Sequence, residues 1–91
     1  MDQFQYAFIV KAPGYSLGNQ KTSVESPEFK TTVVGVRDLD EACLAAQDLV
    51  KNGVKVIDLC CGFNEEDAKE VYNKVDGAVK VSVAAVSFNK K

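Results

Sequence analysis

Apolar residues along this chain alternate between the two-residue spacing of strands and the i, i+3, i+4 spacing of helices. From Gln3 to Ala12, Phe4, Tyr6, Phe8 and Val10 fall on one face, and Gln5, Ala7, Ile9 and Lys11 on the other. This predicts a first strand with Phe4, Tyr6 and Phe8 in the core. Pro13-Gly14 ends it, because proline lacks a ladder donor and glycine favours a turn. Tyr15 to Phe29 keeps no sustained period and reads as a long polar loop, with room for a short strand at Thr22–Glu25. Lys30 to Arg37 carries Thr31, Thr32, Val33, Val34 and Val36, β-branched residues suited to a second strand.

Asp38 then stands where a helix N-cap belongs, with Glu41 three residues on in the pattern of a capping box. Leu39, Ala42, Cys43, Ala46, Leu49 and Val50 follow as one helical stripe, and Asn52-Gly53 supplies the stop. A third strand is expected from Val54 to Cys61. Asn64 caps a second helix whose first turn is Glu65-Glu66-Asp67 and whose buried face is Ala68, Val71, Tyr72 and Val75. Gly77 ends that helix, and Val79 to Phe88 reads as a fourth strand.

The order β, loop, β, α, β, α, β predicts one small α/β domain over residues 1–91, with a four-stranded, mostly parallel sheet. Right-handed crossovers in one direction put both helices mainly on one face. The Gly53–Phe63 segment is expected in the middle, and the first strand is free to join either edge. A ferredoxin-like α+β arrangement is the alternative. It fits less well, because a polar loop follows the first strand where that fold has a helix. The face without helices is expected to display a mixture of Ile9, Val33 or Val34, Ile57 or Leu59, and Ala84 or Ala85. Parallel sheets are rarely left open to water, so a homo-oligomer is expected to bury it.

Composition narrows the partners. The chain is 46% hydrophobic and 26% charged, the range of folded domains, with a net charge of −2. The absence of a basic patch argues against nucleic acid as the main partner, and Lys90-Lys91 is only a charged tail. No apolar run approaches the roughly 18 residues needed to span a membrane, and Met1-Asp2-Gln3 lacks the basic start of a signal peptide. Three cysteines, two of them adjacent, do not form a secreted disulfide framework, so a cytoplasmic location with reduced thiols is expected.

Ligands of parallel sheets bind beyond the carboxyl ends of the strands. That rule selects Tyr15, Arg37, Asp58, Cys60, Cys61, Gly62, Phe63 and Asn64 as candidate ligand-binding residues. Neighbouring strand residues face opposite ways, so Cys60 and Cys61 share a pocket only where the strand bends. The acidic start of the second helix opposes a thiolate, and the chain has no histidine to activate one. With no histidine and no C-x-x-C spacing, neither a metal nor a cofactor is expected. No glycine-rich phosphate loop is present. Cys43 lies on the first helix's apolar stripe and reads as core.

Three segments carry a resemblance: Phe8 to Tyr15 with its Pro13-Gly14-Tyr15, Thr31 to Val36 followed by Leu39-Asp40-Glu41-Ala42, and Gly53-Val54 leading to Ile57-Asp58-Leu59-Cys60-Cys61-Gly62-Phe63. In these the chain resembles a family of small bacterial proteins of about a hundred residues with no assigned function. In that family a small residue, often glycine, stands where this chain has Cys61, which leaves Cys60 as the better thiol candidate. The resemblance implies a fold and a site location but no activity. Three readings follow from the sequence. One is an oligomeric small-molecule binding module with its site at the strand ends. Another is a small metal-independent enzyme of isomerase or lyase type using Asp58 or Cys60. The last is a structural subunit with no ligand.

Overall fold

The computed structural model describes residues 3–83. Its elements are β1 (Phe4–Lys11), β2 (Lys21–Glu25), β3 (Phe29–Val36), α1 (Leu39–Lys51), β4 (Val56–Cys60), α2 (Glu65–Lys74) and β5 (Lys80–Val83). They form a mixed α/β unit with one five-stranded sheet in the order β2-β3-β1-β4-β5. β1 pairs in parallel with both β3 and β4, β4 pairs in parallel with β5, and β2 is an antiparallel edge on β3. Parallel pairing on both sides of β1 excludes the ferredoxin-like alternative. The expected fourth strand extends past Val83, and that part lies outside the described residues, as do Ala84 and Ala85.

The polar loop therefore contains a fifth strand. Lys21–Glu25 lies against β3 and turns into it through Ser26-Pro27-Glu28, where the Ser26 hydroxyl accepts from the Glu28 and Phe29 N–H groups. β2 does here what a helix does in a βαβ unit. It carries the chain back so that β3 can run parallel to β1. It escaped the apolar pattern because all five of its residues are exposed, so no buried period marks it. A second correction concerns the centre of the sheet. β1 is the middle strand, at neither edge, and the Gly53–Phe63 segment supplies β4 beside it.

Both helices cover the face that carries Ala7, Ile9, Val34, Val36, Ile57 and Leu59, and these residues share one core with Ala42, Cys43, Ala45, Ala46 and Leu49 of α1 and Val71 and Val75 of α2. Ile9, Ile57, Leu59, Val36 and Val71 are fully buried, each worth roughly 1.5–3 kcal/mol of transfer free energy. Ile9, Val34, Ile57 and Leu59 are thus under the helices and not on the open face. Phe4, Tyr6 and Phe8 are correspondingly outside the core, half-buried or exposed on the face without helices. Alternation separates two faces but does not say which one a helix will cover. Here the small and aliphatic phase, Ala7 and Ile9, accommodates α1, while the aromatic phase does not. Tyr72, expected in the buried face of α2, is 47% exposed and leans over Gly77.

Both helix starts follow their capping residues. Asn64 Oδ1 accepts from the Asp67 N–H at 2.9 Å while Asp67 Oδ2 accepts from the Asn64 N–H at 3.0 Å, a complete capping box. At α1 the box is half made. Asp38 accepts from the Glu41 N–H at 2.9 Å, but Glu41 Oε1 turns away and accepts from the N–H groups of Arg37 and Leu17, both at 2.9 Å. Glu41 thereby ties the Tyr15–Gln20 loop to the first turn of α1. Replacing Asn64 with alanine removes one acceptor and is expected to lower stability by about 1 kcal/mol in urea unfolding.

Candidate functional site

The register of the sheet arranges its uncovered face in cross-strand rows. Thr31, Tyr6 and Val56 form one row; Val33, Phe8 and Asp58 the next; Gly35, Val10 and Cys60 the last before the carboxyl ends. Phe4 and Phe29 stack at the other end with ring centroids 5.6 Å apart, and Tyr6 lies 5.2 Å from Phe8. The side of the sheet away from the helices is therefore largely apolar and aromatic along β1, with one carboxylate on β4 and with Lys80 and Ser82 of β5 at its edge.

Three of the eight sequence-selected residues sit on this face. Asp58 occupies the middle of β4, and Tyr6 Oη donates to its Oδ2 at 3.2 Å. Cys60 ends β4 beside Val10. Tyr15 reaches the face through the Pro13-Gly14 turn, closed by the Tyr15 N–H on the Ala12 carbonyl at 3.1 Å with Gly14 at φ 83°. The turn folds the Tyr15 ring onto Gly35, where even a β-carbon would stand 2.5 Å from the ring. Gly35 is the glycine that lets an aromatic lie flat on the sheet.

The other five are spread along the crest of the fold. Arg37 is exposed and pairs with Asp38 at 3.6 Å and Glu41 at 3.5 Å. Asn64 caps α2. Phe63 packs against the helix-side core, with Lys11 Nζ 5.4 Å from its ring centroid. Cys61 and Gly62 form the bend after β4, at φ 65° and 77°. Gly62 is required there, since a β-carbon would meet the Lys11 side chain at 2.9 Å and its carbonyl at 3.2 Å. The bend replaces the strict alternation expected of Cys60 and Cys61, and Cys61 is left exposed.

The electrostatics favour protonated groups. Burial raises the Cys60 thiol above its ordinary value, and the neighbouring Cys61 and Asp58 push the same way. Burial likewise raises Cys43. Tyr6 is raised by burial first and then by the Asp58 carboxylate it donates to. Among the described residues no three His, Cys, Asp or Glu side chains stand together as metal ligands, and no helix is long and apolar enough to cross a membrane.

Sequence reasoning missed Tyr6, Phe8 and Val10 as surface residues, whereas Val33 was one of the residues expected on the open face and does lie there. The available signal was that every aromatic of β1 falls in one phase, opposite the small Ala7. It also missed a cleft on the helix side between α1 and β2–β3. One end of about 570 Å³ is polar, and an adjoining end of about 240 Å³ is mostly apolar. None of the eight selected residues lines it.

Three outcomes follow. Because Cys61 holds a left-handed backbone that costs a side chain roughly 1–2 kcal/mol, Cys61→Gly is expected to raise the urea midpoint, and Cys61→Val to lower it. A thiol raised in the folded state stays neutral there while the unfolded chain ionises. Stability is therefore full below pH 9.0, the ordinary thiol value, and falls as pH climbs past it. In the native state at pH 8, a thiol reagent should label Cys61 rapidly and Cys60 and Cys43 slowly.

No curated protein and no solved structure matches the chain. A family model covers nearly all of it: through residues 4–91 the chain belongs to a family of unknown function (DUF6506).

Proposed function

We propose that the chain is a homo-oligomeric small-molecule binding module whose ligand lies on the uncovered sheet face toward its carboxyl end, among Tyr15, Cys60 and the Tyr6–Asp58 pair. The observation that carries this reading is the hydrogen bond of Tyr6 to Asp58 beside Phe8, Val10, Val33 and Val56, with Ser82 of β5 opposite Asp58. A carboxylate covered by apolar groups is costly unless it keeps polar partners. Tyr6 supplies one to Oδ2, and a ligand donor supplies another to Oδ1. Strands about 4.8 Å apart and same-face residues about 6.7 Å apart make this face roughly 24 Å by 20 Å. That projected area, about 480 Å², is roughly 60% of the 800 Å² per partner of a standard interface, the low end of specific contacts. A second copy across the face both shields the aromatics and closes the ligand space.

A proton-transfer enzyme is the second reading, and it draws on the same pair. Asp58 serves as acceptor, and Tyr6, raised above its ordinary value, stays protonated as donor. Cys60 as a nucleophile is disfavoured by its raised thiol.

Sedimentation of the purified chain at tens of micromolar is expected to give a dimer or larger species. Phe8→Glu is expected to give a monomer with an unchanged far-ultraviolet circular dichroism spectrum. Native mass spectrometry should detect a co-purified small molecule that Asp58→Asn loses. A monomeric wild type sinks the interface, and a bound mass retained by Asp58→Asn sinks the site.

A further inference from the structure

The helix-side cleft is separate from the uncovered face and stands on different residues. α1 leaves β2 uncovered, and the register decides what lies on that strip: Lys21 opposite Val34, Ser23 opposite Thr32, and Glu25 opposite Lys30. The polar end of the cleft is lined by Lys21, Lys30, Ser23 and Thr32 on the strand side, and by Asp48 and Asn52 on the helix side. The apolar end is walled by Leu17, Val34, Leu44 and Leu49. Lys21, Asp48 and Leu49 line both ends, so the two spaces adjoin and opposite charges stand where they meet.

Among the described residues these charges form no ion pair; the pairs present involve Arg37, Asp38, Glu41, Glu66 and Lys69. Asp48 also lies in the last turns of α1, ahead of the Asn52 C-cap, where the helix dipole places partial negative charge. The helix side of the junction favours a cation, and the strand side, lined by two lysines, Ser23 and Thr32, favours an anion, since Glu25 does not line the cleft and accepts from Gln3 at 2.9 Å. A lone carboxylate would meet Asp48 and the helix end unfavourably, and a lone amine would meet the two lysines. A zwitterion satisfies both sides. The apolar end, at about 240 Å³, falls below the roughly 300 Å³ at which drug-sized pockets begin and suits one short hydrocarbon group.

We infer that this cleft binds a free α-amino acid with an aliphatic side chain. The carboxylate lies toward Lys21, Lys30, Ser23 and Thr32, and the ammonium toward Asp48 and the carboxyl end of α1. The side chain enters among Leu17, Leu44 and Leu49. Leu44 is 56% exposed and Leu17 38% exposed, and such a side chain covers both. The Glu41 tether on the Leu17 N–H holds one wall in place before the ligand arrives.

The test is titration of the full chain with L-leucine, followed by amide chemical shifts. Shifts are expected at Lys21, Leu44, Ala45, Asp48 and Leu49. Asp48→Asn and Lys21→Gln, both exposed positions, are each expected to weaken binding at least fivefold with an unchanged circular dichroism spectrum, whereas Lys69→Gln leaves it unchanged. Two leucine analogues separate the charges: 4-methylpentanoate lacks the ammonium and isopentylamine lacks the carboxylate, and each should bind at least tenfold more weakly. The inference is overturned by no shifts at millimolar leucine, or by either analogue matching leucine. It is also overturned by shifts confined to Phe8, Val10 and Asp58, which would assign the ligand to the uncovered face instead.

Discussion

Two helices can shield one face of this sheet and no more. Both crossovers, from β3 to β4 and from β4 to β5, step toward the same edge, and right-handed connections in one direction lay their helices on one side. Every other property of the molecule follows from that coverage. The helix side becomes a core of Ala, Val, Ile and Leu packed at short range. The far side keeps its aromatics at the surface, and the strip over β2 stays open as a cleft because α1 does not reach it.

β1 holds the arrangement together. As the central strand it pairs in parallel on both sides, and its alternation serves both layers at once. Ala7 and Ile9 enter the core, while Tyr6, Phe8 and Val10 form the midline of the opposite face. Reaching β3 in parallel register requires the chain to return to the starting edge. β2 makes that return as an antiparallel strand in place of a helix, so the described residues hold two helices for five strands. The fold thus produces its open face by its own connectivity. That face has one carboxylate, one phenol bonded to it and one aromatic laid down by a Pro-Gly turn.

The crest of the sheet illustrates how residues of chemical interest can have structural work. Asn64 completes a capping box, Gly62 clears Lys11, Phe63 closes the core under Lys11, and Arg37 pairs with its own helix start. Asp58 and Tyr15 differ from them in facing the side of the sheet without helices, Asp58 bonded to Tyr6 and Tyr15 lying on Gly35. Asp58 sits inside a strand, where a carboxylate gives nothing to packing, and Tyr15 occupies surface that only Gly35 makes available.

Sequence alone determined the elements whose signals are local. The Asp38 and Asn64 caps, the Pro13-Gly14 stop, the stripe of α1 and the mixed α/β class depend on residues within a few positions of one another, and chain-neighbour chemistry is what a single sequence records. β2 was barely legible, because an edge strand with five exposed residues has no buried period. The place of β1 in the sheet, the face each alternating phase would meet, and the turning of Glu41 toward Leu17 were decided only in three dimensions. Each depends on pairing between segments far apart in the chain. The two phases of β1 were both apolar enough to be buried, so only the packing of α1 could choose between them. That choice sent Ile9 inward and left Tyr6 beside Asp58 on the open face.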